Sequence, residues 1–210
     1  MYFSEFVRST LIDFPPYSSL MVFVQGCNLR CPFCYNVDIV LDQTETRYSE
    51  EQILHEIDRY RLFLDAVVIS GGEPTLKQDE ILHFLQEVRS RGLFLKLDSN
   101  LTVPLKETFL QYFQGVTFSP KPVSFYRRIG DPESVLEIIG RNIKLINSYG
   151  LQYREVKLVL TEEGKRDLDY TLESVTPALL SSDVRWRLTK QPAVFIDPNS
   201  HFGPFTPLYD

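Results

Sequence analysis

The chain has 210 residues, 43% of them hydrophobic, enough to bury the core of one large domain. Its net charge is −6 with acids and bases interspersed, which argues against nucleic-acid binding through a basic face. No apolar run is long enough to span a membrane, and the first residues lack the charged-then-apolar layout of a signal peptide, so a cytoplasmic protein without a membrane or nucleic-acid partner is expected.

Leu20 to Gln25 is a short apolar run that reads as a buried strand. Ser49-Glu50-Glu51-Gln52 is a capping box, and Ile53, Ile57, Tyr60 and Leu64 then share one helical face. Ala66 to Ile69 is a second buried strand and ends in Ser70-Gly71-Gly72. A helix is predicted from about Gln78 to Arg91, apolar at Ile81, Leu82, Leu85 and Val88 and stopped by Gly92; Leu93 to Leu97 is the third strand. Pro104 opens a helix to about Phe113, and Val116 to Phe118 is a strand. Asp131 and Pro132 are an N-cap and first-turn pair for a helix to about Ser148. A strand from Tyr153 to Leu160 and a helix from about Lys165 to Leu180 follow. Val184 to Leu188 alternates strictly, as a half-exposed strand near a sheet edge does; Gln191 to Asp210 is rich in proline and aromatics and has no period.

Strands alternating with helices imply an α/β fold with a parallel sheet and right-handed crossovers. About seven strands can be counted, and a complete eightfold barrel usually needs ~250 residues. The expectation is therefore a partly open (β/α) barrel of about six mainly parallel strands, one domain over residues 1–190, with residues 191–210 a tail packed on or near it. In such sheets function gathers at the carboxyl ends of the strands. Three unusual loops stand at such ends: the cysteine loop, Ser70 to Pro74, and Asp98-Ser99-Asn100.

All three cysteines, Cys27, Cys31 and Cys34, fall within eight positions. An odd number cannot close into a full set of disulfides, and in a reducing compartment crowded cysteines are ligands or catalysts. Thiolates suit zinc and iron–sulfur clusters. Zinc would need a histidine as fourth ligand, but His55 and His83 lie in predicted helices and His201 in the tail. A four-iron cluster held by three thiolates keeps one iron open, and an open position is what catalytic metal sites keep. Gly71 and Gly72 would let the backbone approach a ligand closely. No lysine-serine pair follows, as a phosphate loop would require.

The stretch Cys27-Asn28-Leu29-Arg30-Cys31-Pro32-Phe33-Cys34 resembles the signature of the radical S-adenosylmethionine enzymes, and Gly71-Gly72-Glu73-Pro74 is similar to their second motif. The resemblance implies a 4Fe–4S cluster on the three cysteines, its open iron chelated by the amino and carboxylate groups of S-adenosylmethionine. It places Phe33 beside the cluster and the adenine, and Glu73 toward the cosubstrate's ammonium group. Asp98-Ser99-Asn100 stands where relatives have an aspartate-threonine-asparagine-glycine stretch that contacts the ribose or carboxylate; Leu101 replaces the glycine, which predicts a different turn. Ser119-Pro120-Lys121 stands where activating enzymes carry aspartate, an apolar residue and lysine, so Lys121 is expected to face the carboxylate while Ser119 supplies no anion for a cation site.

The resemblance runs most closely to the activating enzymes of glycyl-radical proteins, above all those of anaerobic ribonucleotide reductase. It is carried by the lead-in Val7 to Pro15, by Gln25 to Cys31, and by Cys34-Tyr35-Asn36, with Tyr35 where histidine is frequent. The implied activity is reductive cleavage of S-adenosylmethionine to a 5′-deoxyadenosyl radical that generates a glycyl radical on a partner enzyme. A flavodoxin or ferredoxin would supply the electron, and Asn36 and the loop amides would tune the cluster. Ser119 to Lys121 also resembles the 7-carboxy-7-deazaguanine synthases, which keeps a small-molecule substrate open, and a non-catalytic iron–sulfur or zinc module is the third reading. Phe195, Phe202, Phe205 and Tyr209 are expected to cover the barrel's base rather than dock a partner.

Overall fold

The computed structural model describes residues 1–160, 165–181, 184–192, 194–195 and 206–207. In chain order the strands are β1 (Tyr2–Phe3), β2 (Glu5–Thr10), β3 (Ser19–Val24), β4 (Tyr48–Ser49), β5 (Ala66–Gly71), β6 (Phe94–Ser99), β7 (Gly115–Phe118), β8 (Tyr153–Leu160) and β9 (Arg187–Pro192). The helices are α1 (Val37–Leu41), α2 (Glu50–Tyr60), α3 (Leu82–Ser90), α4 (Glu107–Leu110), α5 (Val123–Tyr126), α6 (Pro132–Ser148) and α7 (Lys165–Leu179). The main sheet has the order β2-β3-β5-β6-β7-β8-β9. Six strands from β3 to β9 run parallel, and β2 is added antiparallel at one edge. This is the expected α/β architecture with a mainly parallel sheet, open between β2 and β9.

The period of two along each strand divides the interior into two layers. On β5, Val67 and Ile69 join the large core with Ile53 and Ile57 of α2 and Phe84, Leu85 and Val88 of α3, whereas Ala66 and Val68 face a smaller cluster with Phe14 and Met21. The lead-in segment between β2 and β3 makes that second cluster. Phe14 is fully buried and packs edge-on against Tyr17 and Tyr153, with ring centroids 4.9 and 5.4 Å apart. A Cβ on Gly115, the first residue of β7, would come within 2.9 Å of the Phe14 ring. The base of the sheet's inner face is thus covered by residues 13–17. Residues 196–205 and 208–210, with Phe202, Phe205, Tyr209 and His201, lie outside the described residues, as does the side chain of Phe195.

Several boundaries differ from the sequence reading. The helix expected from Gln78 begins at Leu82, because Pro74–Lys77 forms a 3₁₀ turn first, capped by Glu73. The helix expected from Pro104 shrinks to α4. The strand expected at Val184–Leu188 lies at Arg187–Pro192, at the sheet edge as anticipated: β8 offers a partner as far as Leu160, so pairing continues to Pro192, and a proline is tolerated at an edge. It enters the segment in which no strand period was legible, and Val194–Phe195 pairs with Thr206–Pro207 beyond it. The lead-in strand β2 and the short helices α1 and α5 carry no period long enough to see.

The capping box is present: Ser49 Oγ accepts from the Gln52 amide at 3.2 Å, and Gln52 Oε1 accepts from the Ser49 amide at 2.8 Å. Ser49→Ala should cost about 0.5–2 kcal/mol. In a domain of this size that is a fall of about 1–8 °C in Tm, read by thermal denaturation. Asp131 likewise caps α6 through the Ser134 amide at 3.0 Å, with Pro132 in the first turn.

Candidate active site

The loops after β3, β5, β6 and β7 meet at the carboxyl ends of the strands around a cavity of about 230 Å³. Every site residue named from the sequence lines it: Cys27, Cys31, Phe33 and Cys34 from the first loop, Gly71, Gly72 and Glu73 from the second, Asp98, Ser99 and Asn100 from the third, and Lys121 from the fourth. Thr117, Lys157 and Val159 also line it and were not foreseen. Their signal was the inward-facing alternation of β7 and β8, on which polar residues point into a sheet interior.

The close approach that the two glycines permit is to the protein's own chain. Gly71 has φ +110°, and a Cβ there would stand 2.4 Å from the Val24 nitrogen. A Cβ on Gly72 would stand 1.9 Å from the Gly26 carbonyl oxygen. The Gly72 amide donates to Val24 O and the Glu73 amide to Gly26 O, each at 2.8 Å. The second loop is thereby docked on the first residue of the cysteine loop. Asn36 adds a bond from its Nδ2 to the Gly71 carbonyl at 3.3 Å, so its amide faces the second loop.

Glu73 is 1% exposed. Its Oε1 accepts from the Thr75 amide (3.0 Å), Thr75 Oγ1 (2.6 Å) and Ser99 Oγ (2.7 Å), and its Oε2 from the Asn100 amide (2.8 Å). Burial pushes this carboxyl up, against the pull of the hydrogen bonds from Thr75, Asn100 and Ser99. The side chain therefore fixes the second loop to the third, and only Oε2 has accepting capacity left for an ammonium group. In Glu73→Gln, one amide nitrogen must face a backbone or hydroxyl donor. The expected cost is about 1–3 kcal/mol, read by denaturant unfolding.

The third loop takes a left-handed turn at a residue that is not glycine. Leu101 adopts φ +58°, the left-handed conformation, while its side chain is fully buried in the large core. Core packing of the leucine holds a conformation that costs roughly 1–2 kcal/mol. Asn142 of α6 clamps the segment, donating to the Leu101 and Val103 carbonyls at 2.8 Å each and accepting from the Leu105 amide at 2.9 Å. Thr102 bonds Asn100 Oδ1 and accepts from Asn28 Nδ2 at 2.8 Å, tying this loop to the residue after Cys27.

The fourth loop presents Lys121, whose Nζ bonds Ser119 Oγ at 2.8 Å and stands 5.8 Å from the centroid of the Phe33 ring. Phe33 is 4% exposed and lies 5.9 Å from Phe125 of α5, centroid to centroid. Serine at 119 orients the lysine and adds no charge.

The three cysteines are unpaired and half-buried. Burial first, then Glu73 and the neighbouring Cys31 and Cys34, push the Cys27 thiol up to about 12, although the Leu29 amide donates to its sulfur. Cys31 is raised by burial and by Cys34 and lowered by Lys121. Cysteine thiols become thiolates when a metal centre joins them, releasing protons. Among the described residues no three His, Cys, Asp or Glu side chains converge on a single-ion site. A cubane takes one thiolate at each of separate irons, which suits three cysteines spread over one loop. His83 pairs with Glu50 and His55 lines a groove with Phe6 and Tyr48, so neither supplies a fourth ligand. The donor set fits a 4Fe–4S cluster with one open iron.

Comparison with known proteins agrees with this geometry. Residues 21–161 match the Radical SAM superfamily. The chain belongs to the radical SAM superfamily. A Methanocaldococcus jannaschii protein named as a glycyl-radical enzyme activating enzyme is 39% identical over 101 residues, 48% of this chain and 41% of that protein. The pyruvate formate-lyase-activating enzyme of Listeria monocytogenes is 39% identical over 83 residues, 38% of this chain and 34% of that one. The match thus spans less than half the length of these activating relatives. The 7-carboxy-7-deazaguanine synthase of Hyperthermus butylicus is 26% identical over 212 residues, 85% of this chain and 83% of that one. Among solved structures, QueE from Escherichia coli shares the fold at a TM-score of 0.51 and 16% identity, covering 90% and 93% of the two chains. Streptococcus suis SuiB bound to precursor peptide SuiA does so at 0.53 and 15%, covering 81% of this radical SAM enzyme and 38% of SuiB. No helix among the described residues is long and apolar enough to cross a membrane.

Proposed function

We propose that this radical SAM enzyme generates a glycyl radical on a partner protein, of which anaerobic ribonucleotide reductase is the leading candidate. The observation that carries the reading is the cysteine loop with its docked Gly-Gly-Glu-Pro turn, in a chain that is 39% identical to two activating enzymes over 101 and 83 residues. Cys27, Cys31 and Cys34 would hold the cluster, which supplies the electron for reductive cleavage of S-adenosylmethionine. The chain's own groups bind and orient. The Gly71–Glu73 turn and Asp98 line the cavity, and Lys121, aimed by Ser119, presents a cation there for a carboxylate. Phe33, backed by Phe125, supplies a flat apolar face for a purine ring and keeps water from the reacting atoms. An external carrier such as a flavodoxin or ferredoxin supplies the electron.

A second reading follows from coverage: the deazaguanine synthase matches this chain almost end to end, at lower identity. It makes the substrate a small heterocycle. Anaerobic incubation of the reconstituted protein with S-adenosylmethionine, reductant and an anaerobic ribonucleotide reductase separates the two. A glycyl doublet in electron paramagnetic resonance supports activation. Rapid turnover on a metabolite with no protein radical supports the second reading and overturns the first.

A further inference from the structure

A fully buried lysine sits beneath the site. Lys96 of β6 is 0% exposed and lies between Leu95 and Leu97, which face the helices, so its side chain points with Asp98 to the inner face. Its Nζ stands 2.8 Å from Asp98 Oδ1 and 3.7 Å from Glu155 Oε2, donates to the Asp13 carbonyl, and lies 5.5 Å from the Tyr153 ring centroid. Glu155 has other support: Thr117 Oγ1 donates to its Oε2 and Thr189 Oγ1 to its Oε1, each at 2.7 Å. Asp98 Oδ1 is buried, with the Lys96 ammonium as its charged neighbour.

Stability alone does not account for such a pair. A buried ion pair rarely outperforms apolar side chains of similar volume, and apolar packing is what fills the adjoining base, with Phe14, Met21, Ala66 and Val68. The charges stand where that base gives way to the cavity, whose lining includes Asp98 and Thr117.

We propose that Lys96 is a positioning residue for Asp98. Held from below by the Asp13 carbonyl of the lead-in segment, it fixes the position of the carboxylate at the cavity floor. Oδ1 is engaged and Oδ2 is left for a donor of the bound cosubstrate, a ribose hydroxyl or the ammonium group. The lead-in segment thereby contributes to the site without touching the ligand. The proposal rests on the reading that Asp98 contacts S-adenosylmethionine.

The test is equilibrium dialysis of S-adenosylmethionine against anaerobically reconstituted Lys96→Met, Asp98→Asn, the double variant and Lys96→Arg, with Tm recorded for each. Each neutral single variant should bind about tenfold more weakly. The double should bind no more weakly than the weaker single, because Lys96 acts through Asp98, and Lys96→Arg should recover most of the loss. Additive losses in the double would make Lys96 merely structural and overturn the proposal. Unchanged binding in Lys96→Met beside weakened binding in Asp98→Asn overturns it while leaving the Asp98 contact intact. Unchanged binding in Asp98→Asn removes the contact itself and the proposal with it. Lys96→Gln carries the same expectation should the methionine variant not fold.

Discussion

Gly72→Ala should lower Tm by about 6–12 °C and leave the reconstituted protein short of iron and sulfide. The added Cβ would lie 1.9 Å from the Gly26 carbonyl oxygen, inside any tolerable contact, and the obstacle is backbone rather than a side chain that can swing away. The Gly72 and Glu73 amides anchor the second loop to Val24 and Gly26, so relieving the overlap means breaking those bonds and shifting the residue that precedes Cys27. Overpacking of this kind costs about 3 kcal/mol at the upper end of its usual range, which sets the size of the shift. Gly140→Ala is the internal control: it lies within α6, an added Cβ there meets nothing within 4 Å, and the change should stabilise by about 0.5–1 kcal/mol. A Gly72→Ala protein with unchanged Tm and full iron content would show that the two loops are not docked in this way.

Leu101 offers the second large effect, and here the order of two substitutions matters more than either size. Leu101→Ala removes a fully buried side chain and should cost about 3–4 kcal/mol. It keeps a Cβ in the left-handed conformation at φ +58°. Leu101→Gly loses the same packing and relieves that strain, so it should be more stable than the alanine variant by about 1 kcal/mol. The usual helix and strand preference for alanine over glycine is thereby inverted. Denaturant unfolding of both variants reads the difference directly; alanine above glycine would mean that the turn relaxes out of the left-handed region once the leucine is gone.

The inner strands were legible because a parallel strand buried on both faces is a continuous apolar run: Ser19–Val24, Ala66–Gly71 and Gly115–Phe118 were all seen within a residue or two. The caps at Ser49 and Asp131 were legible because capping is local chemistry. The three rim loops stood out through residue types that no ordinary turn needs together, and every site residue named from them lines the cavity. What escaped depends on distant partners. β2 is mostly exposed along its length and exists because β3 offers an edge. The enforcing role of Gly72 requires knowing that Gly26 lies against it, and Lys96, between Leu95 and Leu97, gains its meaning only from Asp13, Asp98 and Glu155 on the inner face. The left-handed turn at Leu101 was not legible because only the burial of its side chain shows what holds it.

The most direct test of the central claim, that Cys27, Cys31 and Cys34 carry a cluster which drives reductive cleavage, is a chromatographic assay for 5′-deoxyadenosine. Anaerobically reconstituted protein is reduced with dithionite in the presence of S-adenosylmethionine, the native chain beside Cys31→Ala. The account expects about four irons and four sulfides per native chain, 5′-deoxyadenosine that accumulates with time, and none from the variant. Native protein that holds its full iron and sulfide yet forms no more 5′-deoxyadenosine than Cys31→Ala would contradict it.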